Sequence, residues 1–139
     1  MQSYPNVLGS DIAGEVHEIG EGVTHLKKGD RVMAYATGLM TSNPRDGGYQ
    51  LYTACKALVV AKIPPSLEYT SAAVLPVSIS TASACLIKEE ALALPLPTIG
   101  AKPSSSGKSI LVWGGSGSIG ASAIQLAVGA GVSLFDFSA

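Results

Sequence analysis

The segment Ser109-Ile-Leu-Val-Trp-Gly-Gly-Ser-Gly-Ser-Ile-Gly120 places a glycine-rich turn directly after a continuous apolar run. The apolar run, Ser109–Trp113, is typical of a strand that is buried on both faces in a parallel sheet. The turn Gly115-Ser116-Gly117-Ser118-Ile119-Gly120 has G-x-G-x-x-G spacing and opens a predicted helix, Ser118–Val128. Strand, turn and helix in this order predict the start of an α/β fold that binds a dinucleotide.

Each glycine of the turn has a physical role in that interpretation. Gly115 allows the tight turn, Gly117 allows the backbone to approach a diphosphate, and Gly120 allows helix and strand to pack closely. Ser116 and Ser118 add hydroxyl donors, and the free N–H groups at the start of the helix face the anion. The alternative is a Gly/Ser-rich turn that merely joins a strand to a helix.

Two charged residues, Lys108 and Asp136, lie close enough to this segment in sequence to bind part of a nucleotide. Lys108 precedes the strand and no Gly-Lys-Ser/Thr follows the glycines, so the motif is not a P-loop. Asp136 follows a predicted second strand, Val132–Phe135, at about the distance expected of a carboxylate that binds an adenosine ribose. A solvated residue close to the end of the sequence is the alternative for Asp136.

The sequence upstream of the turn predicts helices and an exposed loop. Glu68–Leu75 and Ser78–Lys88 are rich in Ala, Leu and Ile without strict alternation, which predicts two helical segments split at Pro76. Leu94–Gly107 is rich in proline, serine and glycine and has no periodicity, so we expect an exposed loop there.

The first half of the chain predicts short strands. The β-prone runs are Asp11–Ile19, Arg31–Ala36, Tyr49–Thr53 and Ala57–Ala61, with a Gly-rich loop at Gly38–Gly48. Short strands at regular spacing predict a compact barrel-like or sandwich-like β unit. The fold class is therefore mixed α/β, with a β-rich unit first and a βαβ unit after it.

Composition excludes several functions. The 139 residues are 47% hydrophobic and only 14% charged, with a net charge of −1, so we expect a folded core and no nucleic-acid partner. Cys55 and Cys85 stand apart and form no disulfide or metal pattern. The N-terminus lacks a signal-peptide pattern, and a cytoplasmic protein is expected. Ser109–Phe135 is uncharged, but glycine and serine make it a poor membrane span, so a membrane anchor is a minor alternative.

The polar residues of the N-terminal half give no catalytic arrangement. His17 and His25 are the two histidines, and neither has a second metal-ligand candidate or a nucleophilic serine nearby in sequence. Asp11, Glu15 and Glu18 match no spacing of paired catalytic carboxylates and are expected on solvated strand faces. We therefore assign no catalytic residue and predict no metal site.

Four motifs occur in an order that resembles the medium-chain dehydrogenase/reductase superfamily. They are Val7–Val23, Lys28–Val32, Ala72–Pro76 and Val112–Gly120. Asn43-Pro-Arg45 and Leu94-Pro-Leu-Pro97 are similar to a loop and an insertion of its fungal zinc-binding-oxidoreductase-like and trans-acting enoyl reductase members. The resemblance covers nearly the whole chain.

The resemblance implies a domain organisation. Residues 1–75 would form a GroES-like β-barrel domain that lacks its N-terminal part. Residues 76–108 would supply connecting helices and the Pro-rich loop, and residues 109–139 would begin a Rossmann domain. Members of the superfamily are more than twice this length, so the resemblance implies a chain truncated at both ends and inactive alone. A non-catalytic binding or interaction module is the rival expectation.

The resemblance also implies a cofactor and a reaction. NADPH is favoured over NADH as hydride donor, with its phosphates held by Gly115–Gly120. Within Pro76–Ser83, which would approach the nicotinamide and substrate, Thr81 is the favoured contact, and an ordinary helix-face threonine is the alternative. The expected substrate is a small molecule, namely an enoyl thioester, an enone or a quinone, and oligomeric state is left open.

One departure from the superfamily pattern bears on metal chemistry. Its zinc alcohol dehydrogenases carry Gly-His-Glu where this chain has Gly9-Ser10-Asp11. The metal-binding histidine is therefore absent, and the resemblance favours the zinc-independent reductase branch. Polar groups that stabilise a developing enolate would then assist hydride transfer.

Overall fold

The computed structural model describes residues 4–97 and 103–137, with the backbone alone described for residues 134–137. Two compact units follow one another along the chain, Met1–Val77 and Ser78–Ala139. The predicted three-part division at residues 75 and 108 remains a prediction.

The first unit is built on a three-stranded antiparallel sheet in the order β1-β2-β3. The strands are β1 (Asp11–Glu15), β2 (Arg31–Tyr35) and β3 (Val60–Lys62). In β2 every second residue is buried, because alternate side chains of a strand point to opposite faces of the sheet. This alternation confirms the predicted strand at residues 31–36, whereas β1 ends four residues earlier than predicted.

The link that follows β3 is held by one arginine side chain. The Arg31 guanidinium donates to the carbonyl oxygens of Pro64 at 3.0 Å, Pro65 at 2.7 Å and Leu67 at 2.7 Å. It also lies 4.4 Å from the centre of the Tyr69 ring. Because two prolines cannot continue a ladder, their carbonyl groups take this side-chain donor instead of a neighbouring strand.

Other parts of the first unit differ from the predicted strands. Tyr49–Thr53 forms no strand, and its Gln50 side chain instead donates to three carbonyl oxygens of the preceding loop, those of Pro44, Arg45 and Gly47. Residues 57–59 form a 3₁₀ turn before β3 begins. The loop at 38–48 contains a short helix, α1 (Gly38–Thr41), and a 3₁₀ turn at Pro44–Asp46.

An ion pair in this unit gives a pH-dependent prediction. Lys62 Nζ lies 2.8 Å from Asp30 Oδ2, and this hydrogen bond holds the pKa of Asp30 below its ordinary value of 3.8. A lowered pKa contributes stability that is present above 3.8 and is lost as the pH falls through the folded-state value. We expect Asp30→Asn to flatten the fall in melting temperature below pH 4, measured by circular dichroism from pH 2.5 to pH 6. Equal slopes for both proteins would contradict this.

Two helices follow the first sheet, as predicted. They are α2 (Tyr69–Ala72) and α3 (Pro76–Ile87). Pro76 opens α3 and does not interrupt it, because the first helical position needs no N–H group and suits the fixed φ of proline. By length and composition alone, Tyr69–Ile87 is apolar enough to cross a membrane, but residues 73–75 separate its two helices.

The second unit contains the βαβ order that the glycine-rich segment predicts. Its elements are β4 (Ser109–Trp113), α4 (Ser118–Gly129) and β5 (Ser133–Phe137). β4 and β5 pair in parallel, with Ser109 opposite Ser133 and Trp113 opposite Phe137. β5 begins one residue later and ends two residues later than the predicted strand.

A small apolar core holds the second unit together. Its buried members are Leu86, Leu94, Ala127, Ala130 and Val132. Leu94 is only 5% exposed, so the predicted exposed loop is wrong at this residue. The reason is that its N–H donates to the Leu86 carbonyl at 2.8 Å, which folds the segment back along the end of α3. Residues 98–102 of the same predicted loop lie outside the described residues.

The predicted burial of β4 on both faces is wrong. Leu111 is 60% exposed and Trp113 is 77% exposed, whereas Ile110 packs against the core. The strand therefore alternates, because in the part of the chain that the structure describes α4 covers one face of this two-stranded sheet.

Candidate functional site

The glycine-rich turn lies between the end of β4 and the start of α4. Gly114 adopts φ +78°, in the left-handed region that favours glycine, and its carbonyl accepts the N–H of Gly117 at 3.1 Å. The motif spacing predicts the tight turn at Gly115, but the residue with the left-handed φ is Gly114, one position earlier. Two adjacent glycines, Gly114 and Gly115, could each take this conformation, and the G-x-G-x-x-G motif includes only the second.

The third glycine of the motif is where the chain packs most closely. A Cβ on Gly120 would contact the carbonyl oxygen of Gly114 and lie 2.8 Å from Gly115 Cα. Since both neighbours are backbone atoms, they cannot move aside as a side chain could. This geometry agrees with the role expected of the last glycine, close approach of helix and strand.

The second glycine faces open space. Gly117 is exposed, and a Cβ there would meet only the Gly114 carbonyl oxygen, at 3.4 Å. Its φ of −75° is available to any residue. Glycine is therefore not required at this position by the fold, and the open space above it could admit a ligand close to the backbone.

Hydrogen-bond donors collect at this end of α4. Gly117 is the N-cap residue and makes no side-chain cap, and the N–H groups of Ser118, Ile119 and Gly120 have no acceptor within residues 4–97 and 103–137. Ser116, Ser118 and Ile119 are exposed. Unpaired N–H groups at a helix start, together with the helix dipole, suit an anion such as a phosphate.

The other two cofactor candidates, Thr81 and Asp136, lie on regular elements of the second unit. Thr81 is an exposed residue of α3, in the same unit as the turn. Asp136 lies within β5, opposite Val112. Its backbone therefore belongs to a strand, whereas one of the two sequence interpretations was a solvated terminal residue. Its backbone position is at the carboxyl end of a parallel strand, the edge at which α/β sheets bind ligands.

The first unit carries a separate groove of about 830 Å³ beside β1 and β2. The rings of His17 and Tyr52 lie in its wall, with their centres 4.8 Å apart and their planes tilted by 53°. Burial raises the pKa of the Cys55 thiol, and the nearby charge of Asp46 adds to the shift. A raised thiol pKa disfavours the thiolate, so Cys55 is not an activated nucleophile.

Three polar residues of the first unit, Asp11, Glu15 and His25, make hydrogen bonds to other parts of the chain. Asp11 Oδ1 accepts the N–H of Val77 at 2.7 Å, near the start of α3, and Glu15 accepts the hydroxyl of Tyr69 at 3.2 Å. His25 Nε2 lies 3.2 Å from the Ala57 carbonyl oxygen, to which it can only donate. Among the described residues, no three His, Cys, Asp or Glu side chains group as they would around a metal ion.

Comparison with known proteins defines the class. Residues 1–65 match the alcohol dehydrogenase GroES-like domain. The chain is 47% identical to the dehydrogenase pigH of Monascus ruber over 95% of its length, and 46% identical to the trans-enoyl reductase himH of Aspergillus japonicus over 93%. A solved alcohol dehydrogenase superfamily protein from Novosphingobium aromaticivorans matches 99% of the chain with a TM-score of 0.75 and 27% identity.

The GroES-like match lies within the first unit, and the second unit holds the glycine turn and its βαβ elements. The chain belongs to the medium-chain dehydrogenase/reductase superfamily, among relatives that include fungal dehydrogenases and trans-enoyl reductases. It spans 36% of the length of each of the two curated relatives above and 37% of the solved structure. The predicted superfamily and mixed α/β fold class are confirmed.

Proposed function

We propose that the protein is an NAD(P)H-dependent reductase that transfers hydride to the double bond of an enoyl thioester, enone or quinone. The observation that carries the proposal is the turn at 114–120, where three N–H groups without an acceptor among the described residues follow an open glycine at the start of α4. The trans-enoyl reductase himH, to which the chain is 46% identical, supports the enoyl substrate class.

The residues of the turn fit a dinucleotide diphosphate. Gly117 leaves room for phosphate oxygens, and the N–H groups of Ser118, Ile119 and Gly120 would donate to them. The hydroxyl groups of Ser116 and Ser118 would add two donors on the exposed side of the turn. NADPH is our favoured cofactor, by kinship with the reductases, and NADH is the alternative.

The reaction requires a hydride donor and a group that stabilises the developing enolate. Bound NADPH supplies the hydride from its nicotinamide ring. Thr81, exposed on α3, is our candidate for contact with the nicotinamide end, through its hydroxyl group. We assign no general acid.

We also propose that this reductase acts without zinc. The sequence Gly9-Ser10-Asp11 offers no histidine at the position where zinc enzymes of the superfamily carry one. Asp11, the remaining carboxylate there, already accepts the N–H of Val77 at 2.7 Å. A carboxylate committed to a helix start is a poor candidate for a metal ligand.

A second function is supported by one feature of the described structure. Leu111 at 60% exposure and Trp113 at 77% lie on the face of β4 away from the core. An uncovered apolar sheet face is a common feature of protein interaction surfaces. An interaction module without turnover is therefore the second candidate, and it requires no affinity for NADPH.

Isothermal titration with NADPH and NADH tests the choice between the two functions. We expect the 139-residue chain to bind NADPH saturably, and Gly117→Asp to lower the affinity by at least about tenfold, because it places a carboxylate where the diphosphate would lie. Aspartate is a favourable N-cap residue, so the substitution should not destabilise α4.

Gly117→Asn is the matched control for this titration. Asparagine has nearly the same volume and caps a helix equally well, but carries no charge. We expect it to retain more affinity than the aspartate variant. A folded wild-type chain that binds neither nucleotide would overturn the proposed reductase and favour the interaction module.

A further inference from the structure

Two serine hydroxyl groups meet inside the second unit. Ser122 Oγ on α4 donates to Ser78 Oγ on α3 at 3.0 Å. Ser78 is 3% exposed and Ser122 is 7% exposed, and they are the buried polar residues of the described chain. The pair joins residues 44 positions apart in sequence.

The pair links the helix that begins at the glycine turn to the helix that carries Thr81. Ser122 follows Gly120 by two residues on α4, so it is tied to the turn through the tight packing of Gly120 on Gly114 and Gly115. Ser78 precedes Thr81 by three residues, about one turn of α3. The hydroxyl bond therefore connects the glycine turn to the helical turn that carries Thr81.

The buried residues that follow Ser78 on α3 are apolar and give little directional control. Ala82 and Leu86 follow Ser78 on α3 at intervals of four residues, and both are buried. Apolar contacts are non-directional, so they would allow α3 to slide or rotate slightly against α4. A buried hydrogen bond, in contrast, has a preferred distance and angle.

We propose that the Ser78–Ser122 pair is a positioning couple for the cofactor, holding Thr81 at a fixed distance from the diphosphate-binding turn. This inference rests on the proposed function. If the turn holds the diphosphate and Thr81 contacts the nicotinamide end, the pair sets the spacing between the two contacts. Neither serine touches the cofactor.

The test compares a ligand that needs both contacts with one that needs a single contact. NADPH reaches from the turn to Thr81, whereas ADP carries a diphosphate and no nicotinamide. We expect Ser78→Ala and Ser122→Ala each to lower NADPH affinity by about three- to tenfold in isothermal titration, with ADP affinity unchanged within about twofold. The double variant should bind NADPH no more weakly than the weaker-binding single variant, because the Ser78–Ser122 bond is already broken in either single variant.

Ser106→Ala is the matched control. Its hydroxyl donates at 3.0 Å to the carbonyl of Gly131, which follows the C-terminal end of α4, whereas the turn lies at the start of that helix, so NADPH affinity should be unchanged. Thermal melting verifies that each variant is folded at the titration temperature. Equal loss of NADPH and ADP affinity, or no loss of either, would overturn the positioning role while leaving the proposed function intact. Failure of the unaltered chain to bind NADPH or ADP would overturn the proposed function and this inference with it.

Discussion

Gly120→Val is expected to destabilise the second unit by about 3 kcal/mol, the upper end of the usual range for overpacking, because the atoms it meets cannot move aside. A Cβ at this position already meets the Gly114 carbonyl oxygen and lies 2.8 Å from Gly115 Cα. Valine adds two further methyl groups to that space. Relief would require α4 to move off β4, which would expose the core around Ala127 and Ala130.

Urea denaturation followed by far-ultraviolet circular dichroism measures this effect. Gly117→Asn is the matched control within the same motif, because a Cβ there meets one atom at 3.4 Å and the backbone φ is −75°. We expect the control to unfold at nearly the wild-type urea concentration. A Gly120→Val protein as stable as this control would mean that α4 and β4 do not approach as closely as described.

The contrast between these glycines explains how much of the site the sequence could predict. The spacing of Gly115, Gly117 and Gly120 predicts one turn, one open position and one close approach, and the last two are present. The residue that takes the left-handed φ is Gly114, one position earlier. A glycine motif shows which residues lack a side chain, but it does not show which of two adjacent glycines adopts the left-handed φ of the turn.

The elements themselves were predictable where a local signal defines them. β2 lies in a β-prone run, α4 follows a glycine turn, and α3 lies in an Ala-rich segment next to Pro76. Tyr49–Thr53 was predicted as a strand on β propensity alone. A strand needs a partner to pair with, and Gln50 instead ties this segment to carbonyl groups of the preceding loop.

Contacts between residues that are distant in the chain could not be predicted from the sequence. The Ser78–Ser122 bond joins two serines, and nothing in the sequence distinguishes them from the other serines of Ala/Ser-rich helices. Likewise, Trp113 ends a run that is apolar throughout, so its pattern cannot show that one face of β4 is exposed. Both facts depend on which helix lies against which strand, and hydrophobic periodicity does not encode that choice.

Leu94 and Leu96 provide the sharpest test of a difference between sequence and structure. Both lie in the Leu-Pro-Leu-Pro segment that the sequence predicts to be an exposed loop, yet Leu94 is 5% exposed and Leu96 is 72% exposed. We expect Leu94→Ala to lower the free energy of unfolding by about 2–5 kcal/mol, because it leaves a cavity in the core shared with Leu86 and Val132. Leu96→Ala should change it by less than about 0.5 kcal/mol.

Urea unfolding of the two variants decides between the interpretations, since both remove the same atoms from the same local sequence. An exposed loop predicts two small and similar effects. A folded-back segment predicts a large effect at Leu94 alone, because only there does the N–H bond to Leu86 hold the side chain in the core. An unchanged free energy of unfolding for Leu94→Ala would show that the core of the second unit ends before this segment.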